Sequence, residues 1–259
     1  MENIIYYFTG TGNSLMVAKE IGRRLGNSQM ISMAKAIKNE ENMSKAHRIG
    51  FIFPVYYNGI PEVVERFIKQ MNFKAEYVFV IATRGGAPAF AIKQLERLLK
   101  DKELELHYGQ YLNMPANYVR VYDMKKEEIN CKIINKAKGK LNGISSSIEY
   151  KYINNVRSNI IYDSLANIIY KSWRKRLKYK DNNMYANEDC ISCGICMKIC
   201  PVSNISMVDS VPMWNHKCQD CMACIQYCPV KAIQAGNKTV KRKRYRNPEI
   251  TLQEIKDYF

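Results

Sequence analysis

The sequence predicts an α/β protein: a doubly wound, five-stranded parallel sheet, followed by a small α+β module built on cysteines. Three observations carry this. Short apolar runs alternate with helical patterns through the first half of the chain. A Gly- and hydroxyl-rich loop, FTGTGNS, breaks the first of those runs and opens the first helix. Eight of the nine cysteines crowd between Cys190 and Cys228.

The elements follow in order. Ile4–Phe8 reads as the first strand and about Asn13–Leu25 as the first helix. QMISM is a second strand. RIGFIFPVYYNGIP is a third, a continuous apolar run of the kind buried on both faces, ending in an aromatic loop. A helical pattern covers Pro61–Met71, and EYVFVIATRGGAP is a fourth strand. Helices at Pro88–Lys100 and roughly Lys125–Leu141 bracket a fifth strand, ELELHYGQYL. With 259 residues, 47% of them apolar, and 18 tyrosines, the chain is long enough for two domains with real cores. No apolar stretch reaches the roughly 20 residues of a membrane span. Glu2 stands where a signal peptide would carry basic residues, so a cytoplasmic protein is expected.

The net charge of +16 is unevenly spread. Residues 151–180 carry eight basic groups and one acidic, and the tail from 237 carries seven and three. Between them, residues 181–236 carry three and five. Charge and pattern together divide the chain into 1–144, an α/β domain; 145–183, a basic linker; 184–236, the cysteine module; and 237–259, a basic tail.

CISCGICMKICPVSNI, from Cys190, and CQDCMACIQYCPVKAI, from Cys218, both read C-x2-C-x2-C-x3-C-P at an offset of 28 residues. Three thiolates at this spacing can wrap one corner of a cubane, with the fourth cysteine of each run serving the other cluster. That assigns Cys190, Cys193, Cys196 and Cys228 to one [4Fe–4S] cluster, and Cys218, Cys221, Cys224 and Cys200 to a second. The competing reading is a pair of structural zinc sites, which favour two separated C-x2-C knuckles. Residues 185–236 resemble the bacterial two-cluster ferredoxins, including the isoleucine after each C-P (Ile205 and Ile233). Cys131 stands apart and reads as a small buried residue on a helix.

The loop after the first strand lacks the lysine of a Walker A motif and the third glycine of a dinucleotide fingerprint. Thr9, Thr11 and Ser14 present hydroxyls around Gly10, Gly12 and Asn13 at a helix N-terminus. Backbone N–H groups, hydroxyls and that helix end can bind a terminal phosphate without a cation. The loop resembles the [ST]-x-[ST]-G-x-[ST] loop of flavodoxins, which holds the FMN monophosphate. The resemblance implies the strand order 2-1-3-4-5, with the ligand where strands 1 and 3 diverge. It then brings Pro54, Val55, Tyr56, Tyr57, Asn58 and Gly59 to the same crevice. Tyr56 or Tyr57 would stack on the isoalloxazine, and the Asn58–Gly59 peptide would flip to hydrogen-bond the reduced flavin. Thr83, Arg84, Gly85 and Gly86 would line its pyrimidine edge, with Arg84 favouring the anionic reduced ring. Asn113–Asp123 is placed to cover the site.

NIIYDSLANIIYKSWRKRLKYK sets Ile161, Leu165, Ile168, Ile169, Trp173 and Leu177 at helical spacing, with Arg174, Lys175, Arg176 and Lys178 towards its end. The favoured reading of this basic helix, residues 159–180, is an interdomain helix that packs its apolar face on the first domain. Contact with an anionic membrane surface is a secondary reading, as is docking of an acidic redox partner protein. Nucleic acid is not an expected partner. The tail KTVKRKRYR has no apolar period and reads as solvated.

Taken whole, the chain is similar to a bacterial family that fuses a flavodoxin-like domain to a two-cluster ferredoxin. The resemblance implies electron transfer with FMN and two [4Fe–4S] clusters. A flavin-dependent reductase of a small molecule is the alternative. No residue is singled out as catalytic, since the sequence offers no acid–base pair, no Ser/His/Asp arrangement and no nicotinamide fingerprint.

Overall fold

A computed structural model describes residues 2–38, 43–87, 89–154, 156 and 160–258. Five parallel strands, β1 (Asn3–Tyr7), β2 (Ser28–Ser32), β3 (Met43–Pro54), β4 (Asn72–Arg84) and β5 (Tyr108–Asn113), form one sheet in the order β2-β1-β3-β4-β5. The crossovers are α1 (Asn13–Leu25), the short α2 (Met33–Ala36), α3 (Glu62–Gln70) and α4 (Ala91–Lys100), with α5 (Glu127–Glu149) after β5. Pro88, placed at a helix start by the sequence, lies outside the described residues, and α4 begins at Ala91.

Side chains alternate across the sheet as strand geometry requires. Ile4, Tyr6 and Phe8 enter one core with α2, α3 and α4; Ile5 and Tyr7 enter the other with α1 and α5. β3 and β4 are longer than the apolar runs suggest. Met43–Ala46 pairs with Asn72–Ala75, an extension whose alternate residues Ser44 and Phe73 are buried.

α5 runs unbroken to Glu149, so residues 145–149 continue a helix of the first domain and do not open a linker. Cys131 is only half-buried on that helix. α6 (Ile160–Lys175) then leads into the second module; Asn159, where the basic helix was expected to start, lies outside the described residues. The module contains β6 (Met184–Ala186), α7 (Ile195–Lys198), β7 (Ile205–Val208), β8 (Val211–Trp214), α8 (Ala223–Tyr227) and β9 (Ile233–Ala235). β6 pairs with β9, and β7 with β8, both antiparallel. Among the described residues no helix is long and apolar enough to cross a membrane.

Two segments depart from expectation. α6 buries Ala166, Tyr170 and Trp173, with Leu177 just beyond it, but leaves Ile161, Leu165, Ile168 and Ile169 between 53% and 76% exposed. The apolar stripe is wider than the surface it lies on. The tail, by contrast, is solvated only in part: Lys238, Val240, Lys241, Lys243 and Arg246 are exposed, but residues between and beyond them turn inward. Tyr245, Asn247, Ile250 and Ile255 are buried, and α9 (Leu252–Asp257) packs back on the sheet domain. Two of its cations serve the fold: Arg242 donates to Val119 O, and Arg244 to the carbonyls of Thr239, Arg242 and Ile233.

Candidate functional site

The sheet's topology determines where a site can form. β1 and β3 lead their chains to opposite sides, and the crevice at their C-terminal ends is the natural ligand site of such a sheet. A cleft of about 620 Å³ lies there. Thr9, Gly10, Thr11, Asn13 and Ser14 form one wall; Pro54, Val55, Tyr56, Tyr57 and Asn58 a second; Thr83, Arg84 and Gly85 a third. Gly12, Gly59 and Gly86 are not in the lining. Gly12 adopts φ +95 at the N-cap of α1, a conformation that favours glycine, and turns towards the tail.

The loop's geometry suits a phosphate. Gly12 N donates to Thr9 Oγ1 (3.1 Å), which tightens the turn. Ser14 and Thr83 share a hydroxyl hydrogen bond of 2.8 Å, tying the loop to β4. The first N–H groups of α1 have no acceptor within the helix, and the helix dipole there favours an anion. No charged side chain of the loop competes. Lys125 also lines the cleft. These residues fit the monophosphate of FMN, held by backbone donors and hydroxyls.

The second wall differs from its expected form. Tyr56 N donates to Gly59 O and Gly59 N to Tyr56 O, so the two central turn residues are Tyr57 (φ +45) and Asn58 (φ +72). Both are left-handed, as a two-residue turn of the primed type requires. Asn58 O accepts from Phe90 N, so the Asn58–Gly59 peptide is paired at both ends. Flipping it would break two backbone hydrogen bonds. Glycine is needed at 59 for space: a Cβ would come 2.5 Å from Tyr170 Cδ2. Arg84 lines the cleft, its guanidinium 4.5 Å over the Tyr111 ring and donating to Asn113 Oδ1, contacts that orient it at the rim.

The remaining wall comes from the Asn113–Asp123 loop and from residues the sequence did not assign to the site. Met114–Tyr118 and Val121–Asp123 line the cleft, within the loop placed there by chain order. Trp173 reaches in from α6, its ring parallel to Tyr57 at 5.1 Å and edge-on to Tyr56. Asp220, from the cysteine module, accepts from Tyr118 Oη (2.8 Å), Trp173 Nε1 (3.3 Å) and Arg120 Nε (2.8 Å). Tyr57 Oη donates to Tyr118 Oη. Burial and the Asp220 carboxylate push the Tyr118 phenol far above its ordinary range. It therefore stays a neutral donor to Asp220. None of these partners is local in sequence, so no motif could announce them.

The cysteine module adjoins this cleft. Cys221 and Met222 line it, and a Cβ on Gly10 would collide with the Cys221 carbonyl oxygen. Cys200, Cys218, Cys221 and Cys224 surround one small hollow; Cys190, Cys193, Cys196 and Cys228 surround another. The two runs share their backbone. Ser192 and Gly194 in the first are left-handed, as are Asp220 and Met222 at the same offsets in the second; Ser203 and Lys231 repeat the pattern after each proline. Such turns let three closely spaced thiols point to one centre. Backbone N–H groups of Asn204, Asp220 and Ala232 donate to the sulfurs of Cys200, Cys218 and Cys228.

Burial pushes the Cys196 thiol up to about 11 and Cys218 to about 12, and raises Cys221 and Cys224 further. Neighbouring thiolates add to this: Cys193, Cys228 and Cys190 act on Cys196, whereas Cys221, Cys218 and Cys200 lead for Cys224. Such a site holds thiolates only when positive metal offsets their burial. Among the described residues, no three His, Cys, Asp or Glu groups converge tightly enough to share one ion. Each set of four thiols lines its own hollow, a donor set that fits an iron–sulfur cluster.

Comparison with known proteins agrees with this division. Residues 4–113 match the family model described as a flavodoxin domain, and residues 180–233 match that of a 4Fe–4S dicluster domain. The chain therefore joins a flavodoxin domain to a ferredoxin-type domain, the arrangement of a flavodoxin–ferredoxin fusion. The two domains support a role in electron transfer with FMN and iron–sulfur chemistry. No curated protein matches the chain. Similar solved structures include a flavodoxin from the domain Archaea (15% identity, 57% of this chain and 99% of that one, TM-score 0.38). The two-electron reduced flavodoxin of Megasphaera elsdenii is 16% identical over 53% of this chain and 98% of its own, at TM-score 0.33. An FMN-dependent NADH-azoreductase from Bacillus anthracis, in complex with FMN, is 10% identical over 57% and 100%, at TM-score 0.38.

Proposed function

We propose that this chain is an internal electron relay, passing electrons between two [4Fe–4S] clusters and FMN held in the cleft. The observation that carries the reading is the shared wall: Cys221 lines the same cleft as the Thr9–Ser14 loop, with Gly10 packed on its carbonyl. Cys218, Cys221, Cys224 and Cys200 would hold the cluster next to the flavin. Cys190, Cys193, Cys196 and Cys228 would hold the outer one, where Cys193 is exposed and a partner protein could exchange electrons. FMN takes two electrons and each cluster one, so the groups together convert one-electron into two-electron traffic. The chain's own part is positioning. Thr9–Ser14 seat the phosphate. Tyr56 is wedged edge-on against Phe8 and Trp173, which leaves Tyr57, backed by Trp173, as the ring for a flat ligand to stack on. The hydrogen bonds to Cys200, Cys218 and Cys228 stabilise thiolate charge and so tune potential.

The cations that would suit an acidic partner gather at the end of α6, with Arg174 and Lys175, and continue to Arg176 and Lys178. A reductase of a small molecule is the second reading, favoured by the cleft's size and its further wall of Met114–Tyr118. Anaerobic purification with iron, sulfide and flavin counted per chain, then stepwise reduction followed by absorbance and EPR, tests the relay. About eight irons and one FMN per chain, exchanging electrons, are expected. Zinc in place of iron, or no flavin, overturns it. A small molecule that reoxidises the reduced protein catalytically would move the conclusion to the reductase.

A further inference from the structure

The tail was the segment with least apparent purpose, yet it is welded to the phosphate loop. A Cβ on Gly12 would stand 3.0 Å from Asn247 Cβ and 3.2 Å from Ile250 Cβ. Asn247 N donates to Thr11 O (2.8 Å), and its side-chain Nδ2 donates to Asn13 Oδ1 (3.1 Å). Tyr245 Oη donates to the same Asn13 oxygen (2.6 Å), while Asn13 Nδ2 donates to Pro115 O. Both ends of the Asn13 side chain are thus held by protein. The chain of bonds continues into the cysteine module. Tyr245 N donates to Gln226 Oε1 (2.7 Å), and Gln226 Nε2 donates to Asn117 O (2.7 Å). Asn117 Nδ2 returns to Thr11 Oγ1 (2.5 Å), closing a ring. Thr11, Asn13, Gln226, Tyr245 and Asn247 are all buried, Asn247 completely. Gln226 sits on α8, between Cys224 and Cys228.

We propose that Tyr245 and Asn247 are positioning residues of the phosphate loop, and that through Gln226 they couple phosphate binding to the hold of the module on its Cys224 and Cys228 ligands. The inference rests on the relay reading of the cleft. A loop with two glycines and no cation relies on backbone donors, and such donors bind well only when their direction is fixed beforehand. Fixing Asn13, the first residue of α1, fixes the N–H groups that follow it. Because the same buried ring includes Gln226, order gained at the loop is shared with α8. Coupling between two sites is reciprocal, so a bound phosphate monoester steadies the cluster ligands by the factor by which they steady it.

The test measures FMN affinity by flavin fluorescence quenching in the intact, cluster-loaded protein and in its Asn247→Ala and Tyr245→Phe variants. Riboflavin, which lacks the phosphate, serves as the comparison ligand. Iron release to a chelator is timed with and without FMN. Asn247→Ala should weaken FMN by about tenfold and Tyr245→Phe by less, with riboflavin affinity unchanged in both. FMN should slow iron release in the wild type and fail to do so in Asn247→Ala. Unchanged FMN affinity in both variants overturns the positioning role. Equal loss for FMN and riboflavin reduces it to general destabilisation, and overturns it too. Iron release indifferent to FMN in the wild type removes the coupling. A wild type that keeps its iron but binds no FMN removes the flavin reading itself, and the proposal with it. Should Asn247→Ala fail to fold, Tyr245→Phe, which deletes one hydroxyl, decides.

Discussion

Two basic segments flank the cysteine module, and they have opposite fates. α6 carries a plain amphipathic pattern in its sequence, yet four of its aliphatic residues face outward. The tail carries hardly any pattern, yet its Tyr245, Ile250 and Ile255 are almost fully buried. Periodicity reports that a helix has an apolar face; it does not report that the protein has a surface to match it. α6 rests on a narrow row, Ala166, Tyr170, Trp173 and Leu177, spaced by three and four residues along one side. The tail lies across α1 and α5, against a ready-made second core. Glu249 pairs with Lys138, Glu254 with Lys19, and the Tyr258 ring packs edge-on against Tyr7. Position relative to existing cores decides burial, and local pattern is only a prior.

The most severe way to break this contrast is to end the chain at Lys243. Removing Tyr245, Ile250 and Ile255 from the core should cost on the order of 5 kcal/mol, comparable to the whole stability of a domain. Chemical denaturation of the full and shortened chains checks it, and a shortened chain of unchanged midpoint would return the tail to solvent. Next comes Trp173→Ala, on the inner side of α6. Truncating a buried tryptophan costs about 3–5 kcal/mol. The same change strips Asp220 of one donor, so cluster content and flavin affinity should fall along with thermal stability. Third is Gly10→Ala. The added Cβ meets backbone of Cys221, which cannot rotate aside, and overpacking of about 1–3 kcal/mol is expected at the wall both domains share. Its signature is joint loss of iron and flavin, counted per chain after gentle anaerobic purification.

The sheet was legible because burial on two faces leaves nearly unbroken apolar runs, as in Phe51–Phe53 and Val78–Ala82. The cysteine spacing was legible because turns between near neighbours set where thiols point, and the repeat states that geometry twice. The polar extensions of β3 and β4 were not, since residues such as Lys45 and Lys74 read as loop until their partner strand is known. An Asn-Gly dipeptide favours a turn centred on Asn58 and Gly59, but the central residues are Tyr57 and Asn58, with the Tyr57 ring held by Trp173 and Tyr118. Asp220 is the clearest case of what sequence hides. Its partners Tyr118, Arg120 and Trp173 lie far from it along the chain, and only the closed fold brings them together.

Two smaller effects sharpen the comparison further. Thr251 caps α9: its side chain accepts from Glu254 N, and the Glu254 side chain accepts from Thr251 N. Thr251→Ala should cost about 1 kcal/mol. The Glu254 carboxyl itself is held down to about 2, by Lys19 first and then by Thr251. Because that value lies below the ordinary 4.5, its contribution is whole above pH 4.5 and fades as pH falls towards 2. The carboxylate is about 25% exposed and its partner Lys19 about 40%, so solvent screening keeps the effect small. Hydrogen exchange in α9 amides should rise over that window while those of α1 hold longer.

The smallest expected effect is the most telling for α6. Leu165→Ser and Ile168→Ser replace side chains that are 59% and 65% exposed, on the face opposite Tyr170 and Trp173. Each should change stability by no more than about 0.5 kcal/mol, the range of ordinary surface positions. Serine's weaker helix propensity already supplies most of that. The double variant, compared with Trp173→Ala by thermal unfolding at equal cluster loading, separates the helix's two faces. A fall of several kcal/mol in the double variant would mean that this stripe is covered in solution, and that α6 and the tail differ less than their burial implies.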